Sequence, residues 1–283
     1  MSTAAPTGGR PRLLGEILVV AVLVLVYDRI RDFSGTRSVL AVANGRHVLV
    51  VERLLHVDVE HRANQILAIH PLLADWASWY YQVAHLTVTL LVLLWVYLRH
   101  PSAYRPARNA LLGINLVGLL VFWVLPVAPP RLLPGAGFVD LAVTSGVADR
   151  TTTVSPDLYA AMPSLHVAWA VWVALQVLVL SRSRLFRSLA FGHAALTCLI
   201  VLATANHYVL DVLSGAAVTV LLVLLVLLVP LARQSAEPRS RRRPSWKNAC
   251  ASTGVCTSAM VRDAPNDAFQ KPSATGGPLH GPT

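Results

Sequence analysis

Residues 209–231 read VLDVLSGAAVTVLLVLLVLLVPL and contain one charged side chain, Asp211. At about 1.5 Å per residue, a helix of this length crosses the roughly 30 Å of hydrocarbon in a bilayer. Four further apolar runs have the same character and cover residues 13–27, 76–98, 110–127 and 189–205. A shorter run, residues 165–180, can cross the bilayer if its helix is extended at the start. The sequence therefore predicts an all-α, polytopic membrane protein built as a six-transmembrane-helix bundle.

The composition excludes a soluble globular enzyme. Of the 283 residues, 55% are hydrophobic and 13% are charged, and the mean hydropathy is +0.57. Soluble domains carry about 25% charged residues. The net charge of +10 would suit a nucleic-acid-binding protein, but the positive residues fall in short clusters between the apolar runs, as in membrane proteins. We expect membrane lipids as partners and no nucleic acid.

The arginines predict the orientation. With six spans, the arginine clusters that flank the runs all fall on one side, which the positive-inside rule makes cytoplasmic. Residues 1–12 are then a cytoplasmic N-terminus, 13–231 the membrane domain, and 232–283 a basic cytoplasmic tail. The tail is rich in Pro, Ser, Gly and Ala, so we expect it to be disordered. The expected location is the cell membrane, with both termini inside.

Residues 37–75 mix charged and apolar side chains. The charged residues include Glu52, Arg53, Asp58 and Glu60. A span here would bury several charges in hydrocarbon, so the segment is predicted to be an amphipathic helix in the membrane interface. We expect Asn64 and the pair His70-Pro71 to end it.

Three segments place ionisable residues on the predicted outer face, where such residues are costly and point to function. They are Pro129-Pro130-Arg131, Met162-Pro163-Ser164-Leu165-His166 and Asn206-His207-Tyr208-Val209-Leu210-Asp211. His207 and Asp211 lie four residues apart and share one face of a helix. The carboxylate can accept the Nδ1 proton of the imidazole, which leaves Nε2 available as a nucleophile or base.

The other residues of these segments complete a site for displacement at phosphorus. His166 begins a span at the same membrane level and can donate a proton to a leaving group. Ser164 offers a hydroxyl and a backbone amide near a helix N-terminus, and Arg131 offers a planar, permanently charged fork for a phosphate. The alternative interpretation makes each residue a helix cap, a headgroup contact or an interfacial anchor.

The paired motifs around His166 and His207 resemble those of the type 2 phosphatidic acid phosphatase superfamily. The closer resemblance is to its inositol phosphorylceramide synthase-like (inositolphosphotransferase) branch, which carries the same proline-serine-x-histidine and histidine-x3-aspartate pair. Trp79-Tyr80 with His85, and Pro129-Pro130-Arg131, also look like features of that branch. The resemblance covers residues 64–220.

The resemblance implies a metal-independent enzyme without a cofactor that acts on a lipid phosphate at the extracytoplasmic face. His207 would attack phosphorus and form a phosphohistidine, Asp211 would hold its ring, and His166 would protonate the departing alcohol. Arg131 and Ser164 would bind the phosphate oxygens.

The sequence departs from the superfamily at two places. Val201 and Ile200 stand where serine and arginine precede the last histidine, and Val124 stands where a lysine precedes the first-motif arginine. Other groups must replace these phosphate-binding residues, and His85 is a candidate. The departures leave open whether water or a hydroxyl of a polyol or lipid alcohol accepts the phosphoryl group.

Two other functions fit the same residues. A non-catalytic phospholipid carrier or flippase could bind phosphate headgroups with Arg131 and the two histidines. A metal hydrolase could use His166, His207 and Asp211 as ligands.

Overall fold

The computed structural model describes residues 37–141 and 159–236, together with isolated positions between 15 and 29. The chain divides into two compact units, Met1–Pro230 and Leu231–Thr283, and the candidate site lies in the first. The predicted N-terminus 1–12, most of the first predicted span and nearly all of the predicted tail 232–283 lie outside the described residues.

The described residues form seven α-helices. They are α1 (Ser38–Leu55), α2 (Val59–Ala68), α3 (Pro71–Arg99), α4 (Pro101–Val124), α5 (Leu165–Leu180), α6 (Arg184–Ala203) and α7 (Val209–Ala236). A 3-10 turn, Pro130–Leu132, follows α4. Within the described ranges no strand is formed, so the all-α prediction is confirmed there.

In the described part of the chain, four helices are long and apolar enough to cross a membrane: α3, α4, α6 and the Val209–Val226 part of α7. The helix α5 is apolar but shorter, as its sequence predicts. These helices make the chain a multi-pass membrane protein. The predicted total of six spans remains a prediction, because the first run is described only at isolated positions.

The segment predicted to be interfacial, residues 37–75, forms α1, α2 and the start of α3 rather than the single helix expected. The helix α1 ends at His56, whose φ of 56° turns the chain and whose N–H donates to the Arg53 carbonyl at 3.2 Å. Asn64 lies inside α2 and does not end it, which corrects the prediction. The Asn64 side chain is buried, and its Nδ2 donates to the carbonyls of Val139 and Ala203, each at 3.1 Å. The helix instead ends at Ala68, just before the predicted His70-Pro71 stop.

The helix α5 lies at the centre of the bundle, packed against α3, α4 and α6. Trp172 is fully buried there, and its Nε1 donates to the Ala107 carbonyl of α4 at 3.1 Å. The start of α5 also approaches α7 closely, since a Cβ placed on Gly215 would lie 2.4 Å from the Ser164 carbonyl oxygen. Small residues allow such close helix contacts in membranes. This packing fixes His166 relative to the start of α7.

Candidate active site

The ring centroids of His166 and His207 lie 5.7 Å apart. Both imidazoles line a small cavity of about 60 Å³. The other lining residues are Tyr81, Phe122, Pro129, Ala160, Ala161, Leu165 and Asn206. The three sequence segments, which are widely separated along the chain, are therefore brought together at one end of the bundle.

His207 lies in the tight turn between α6 and α7. The backbone N–H groups of Asn206 and His207 both donate to the Val201 carbonyl, at 3.1 and 3.2 Å. Ala205 adopts a positive φ of 52° in the same turn. The side chain of Val201 is buried, so at this position the chain supplies a backbone anchor in place of a phosphate-binding side chain.

The His207 imidazole is fixed through Nδ1, which lies 2.8 Å from the Ala161 carbonyl oxygen. A carbonyl can only accept, so Nδ1 carries the proton and Nε2 carries the lone pair. Nε2 is buried and makes no hydrogen bond to any described residue. Two backbone hydrogen bonds hold the Ala161 carbonyl in place. The Ala161 N–H donates to the Val127 carbonyl at 3.1 Å, and the Val127 N–H donates to the Tyr159 carbonyl at 3.0 Å.

Asp211 lies 3.4 Å from His207 Nδ1, farther than the Ala161 oxygen. Its Oδ2 accepts from the Tyr208 backbone N–H at 2.9 Å, which caps the start of α7. His207 precedes α7, so the expectation that these two residues share one helix face needs correction. The carboxylate is fully buried and contacts the imidazole from the first turn of the helix.

His166 lies in the first turn of α5 between two side chains of α3. Tyr81 stacks on the His166 ring, with centroids 4.1 Å apart and ring planes inclined by 17°. The centroid of the His85 ring lies 4.0 Å from that of His166, with an interplanar angle of 50°. The Nδ1 of His85 donates to the Tyr81 carbonyl at 2.9 Å. His85 does not line the cavity and lies behind His166. Together, Tyr81 and His85 fix the plane of the His166 imidazole.

Arg131 lies beside the cavity in the 3-10 turn, with 5% of its side chain exposed. Its Nε donates to Asn206 Oδ1 at 2.8 Å, and its Nη1 pairs with Asp140 Oδ2 at 2.9 Å. Its backbone N–H donates to the Ala205 carbonyl at 3.0 Å. The guanidinium is thus joined directly to the turn that carries His207.

Ser164 is the N-cap of α5 and is fully buried. Its Oγ accepts from the Val167 N–H at 3.4 Å, and its own N–H donates to the Asp211 carbonyl at 3.1 Å. The backbone amide expected at an anion site is therefore used to join α5 to α7.

A pair of buried acids lies behind the site. Glu52 and Glu60 are 0% exposed, although their sequence pattern suggested interfacial charges. Burial raises the pKa of Glu52 to about 8 and also raises the pKa of Glu60, and the two acids repel each other when charged. The Oε1 of Glu52 reaches the first turn of α7. The helical pattern of residues 37–75 gave no signal for this burial.

Two further residues at the cavity had not been assigned to the site from the sequence. Asn206 positions Arg131, and its place directly before His207 was the available signal. Tyr81 stacks on His166, and the available signal for this role was its spacing of one helical turn from His85. No group of three or more His, Cys, Asp or Glu side chains in the described ranges is arranged to hold a metal ion.

The family model described as the PAP2 superfamily matches residues 46–225, which is more than half of the chain. The chain belongs to the PAP2 superfamily. PAP2 members are phosphatases, and with the apolar helices this supports a membrane lipid phosphatase. The superfamily predicted from the motifs is thereby confirmed, while the inositolphosphotransferase branch remains a prediction.

One solved structure is also similar. It is the crystal structure of LpxE from Aquifex aeolicus, with 18% identity and a TM-score of 0.48 over 60% of this chain and 93% of that chain. No curated protein matches the sequence.

Proposed function

We propose that this PAP2 protein transfers the phosphoryl group of a lipid phosphate through a phosphohistidine on His207. One observation carries the proposal. The Nε2 atom of His207 is buried without a hydrogen-bond partner in the described structure, and the His207 ring lines a cavity together with His166. An imidazole whose other nitrogen is fixed by a carbonyl has the arrangement that a nucleophile requires.

In the first step, Nε2 of His207 attacks phosphorus and the bond from phosphorus to the lipid oxygen breaks. The electron pair on that oxygen takes a proton from His166, so the alcohol leaves neutral. Asp211, 3.4 Å from Nδ1, stabilises the positive charge that develops on the His207 ring.

In the second step, water or an alcohol attacks the phosphohistidine. His166, now neutral, takes the proton of the attacking hydroxyl as the new O–P bond forms and the N–P bond breaks. His207 regains its lone pair and His166 its proton, so the enzyme returns to its starting state without a metal or cofactor.

We assign phosphate binding to Arg131 and Ser164, with His85 supporting His166 from behind. Arg131 is held by Asn206 and Asp140, so its charge is fixed before substrate arrives. Preorganised charge is worth more than mobile charge because no reorganisation is needed during reaction. The Ser164 hydroxyl lies at the start of α5, two residues before His166.

The substrate is proposed to be a lipid phosphate bound from the extracytoplasmic leaflet. Phe122, Pro129 and Leu165 give the cavity an apolar wall. The surrounding helices expose large apolar side chains, so an acyl or prenyl tail can stay in the bilayer while the phosphate enters. The arginine clusters support the assignment of this end of the bundle to the outer face.

The acceptor is proposed to be water, or a polyol or lipid-alcohol hydroxyl as in the inositolphosphotransferase branch. Assays with a panel of lipid phosphates, with and without inositol or glycerol, distinguish these outcomes. Release of inorganic phosphate identifies a phosphatase, and a phosphorylated polyol identifies a phosphotransferase.

Rapid acid quench of the purified protein with lipid carrying labelled phosphate tests the intermediate. We expect an acid-labile, alkali-stable label on the parent and on His47→Ala, an exposed-histidine control. His207→Ala should carry none. His166→Asn should still be labelled by a substrate with a good leaving group, because that group needs no proton. Label retained on His207→Ala would refute the assignment, and lipid translocation without hydrolysis in the parent would favour the carrier alternative.

A further inference from the structure

We propose that the Tyr81 hydroxyl is a further catalytic group, which donates a hydrogen bond to a phosphate oxygen during phosphoryl transfer. The proposal rests on the proposed function. It assigns to Tyr81 the role left open by Val124, Ile200 and Val201, which stand where the superfamily resemblance implies polar or basic residues.

The geometry places Tyr81 directly against the reacting groups. Its ring stacks on His166 with centroids 4.1 Å apart, and it lies 6.4 Å from the His207 ring. Tyr81 also lines the cavity. A phosphate between the two histidines would therefore lie beside this phenol.

Two charged groups of the site also lie within electrostatic range of Tyr81. The phenol interacts electrostatically with Arg131 and with Asp211. These groups come from the 3-10 turn and from the first turn of α7. With Arg131 nearby, the Tyr81 hydroxyl can donate to the phosphate that Arg131 is proposed to bind.

The other polar side chains of the cavity already have assigned roles. Asn206 accepts from Arg131 through Oδ1 and donates to Thr204 Oγ1 through Nδ2 at 2.8 Å. His166 and His207 are the proton donor and the nucleophile. The Tyr81 hydroxyl makes no hydrogen bond to any described residue, so among the lining side chains it is the remaining donor.

His85 is the competing candidate, and its placement is less suitable. Its Nδ1 donates to the Tyr81 carbonyl, and its ring contacts His166 from outside the cavity lining. It is a positioning residue for His166, whereas Tyr81 reaches the cavity itself.

The experiment compares Tyr81→Phe, Tyr81→Leu and Tyr80→Phe in the purified full-length protein. Phenylalanine keeps the stacked ring and removes only the hydroxyl, while leucine removes both. Tyr80 is the matched control, because it is the next residue on α3 and its hydroxyl bonds instead to His193 at 2.7 Å. The readouts are kcat, KM, inhibition by orthovanadate and the phosphohistidine label.

We expect Tyr81→Phe to lower kcat by about 10- to 100-fold, since loss of one donor to a transition-state oxygen has effects of this order or larger. Orthovanadate, which adopts the geometry of the transition state, should bind more weakly by a similar factor. KM for the lipid and the unfolding temperature should stay close to the parent values. Tyr80→Phe should match the parent, and Tyr81→Leu should lose more activity than Tyr81→Phe.

Failure of the Tyr81 proposal can be distinguished from failure of the proposed function. A parent that forms phosphohistidine while Tyr81→Phe keeps kcat and vanadate affinity within twofold would overturn the role of the hydroxyl and leave the proposed function intact. A parent that forms no phosphohistidine would overturn both. A drop in kcat without weaker vanadate binding would show that Tyr81 acts only through the His166 ring, and this too would overturn the proposal.

Discussion

Glu52 Oε1 accepts a hydrogen bond from the backbone N–H of Leu210 at 2.7 Å. The bond joins α1 to the first turn of α7, beside Asp211. The first N–H groups of a helix have no acceptor within the helix, so they need one from outside. Glu52 supplies it from a distant part of the sequence and thereby holds the start of α7 in the bundle.

Replacing Glu52 by alanine should destabilise the protein. The partly buried Leu210 N–H would be left without an acceptor, and loss of such a bond costs about 1–3 kcal/mol. Glu52→Gln keeps an amide oxygen as acceptor and should lose less. Thermal unfolding in detergent measures both, with Asp58→Ala as the partly exposed control. Equal stability of Glu52→Ala and Asp58→Ala would contradict the role of this bond.

The raised pKa of Glu52 should also make the stability of the protein depend on pH. Burial raises the pKa of Glu52 from 4.5 to about 8, with Glu60 and Asp211 nearby adding repulsion, and the pKa of Glu60 is raised as well. Between pH 4.5 and about pH 8, Glu52 keeps its proton in the folded state and releases it in the unfolded state, so stability falls as pH rises. Below about pH 4.5 both states are protonated and this contribution is constant.

We therefore expect the unfolding temperature to decrease from about pH 5 to about pH 8. Glu52→Gln should reduce that slope, because the amide does not titrate. The control is Asp75→Asn, an exposed acid of α3, and this variant should keep the slope of the parent. A slope that is unchanged in Glu52→Gln would show that the pH dependence arises elsewhere.

Gly215 should not tolerate a larger side chain. A Cβ at this position would lie 2.4 Å from the Ser164 carbonyl oxygen, so α5 and α7 would have to separate. Because these helices carry His166 and Asp211, we expect Gly215→Ala to lower both stability and activity. The control is Gly192→Ala in α6, where a Cβ meets nothing within 4 Å and alanine favours the helix. Two variants of equal activity would argue against the close approach.

Arg131→Lys should lower kcat/KM although it conserves the charge. A lysine cannot donate in the fork geometry that lets Arg131 bind Asn206 and Asp140 together. Loss of a charge-assisted bond of this kind corresponds to about 1.5–3 kcal/mol, or roughly 10- to 100-fold. Arg46→Lys is the control, since Arg46 is exposed and bonds only to the Pro134 carbonyl in the described structure. Steady-state kinetics on a lipid phosphate measure the effect.

The spans and the histidine motifs could be predicted because their signals are local. Apolar runs of this length have few structures open to them other than membrane helices. The spacing of His166 and His207 relative to those runs placed both at the same membrane level, and the structure brings their rings to 5.7 Å.

The remaining features depend on contacts between distant segments, which periodicity does not encode. Glu52 and Glu60 looked like interfacial charges, because the local sequence does not show that Glu52 reaches the Leu210 N–H at the start of α7. Asn64 looked like a helix stop, since its side-chain partners at Val139 and Ala203 lie far along the chain. Tyr81 joins the site because the start of α5 packs against α3 and stacks His166 on its ring.

The carbonyl of Ala161 has a consequence for how this site can change. Every amino acid at position 161 carries the same main-chain oxygen, so no exchange of side chain there deletes the group that fixes His207 Nδ1. The loop can therefore drift in sequence while the imidazole keeps one tautomer, provided its pairing with Val127 persists.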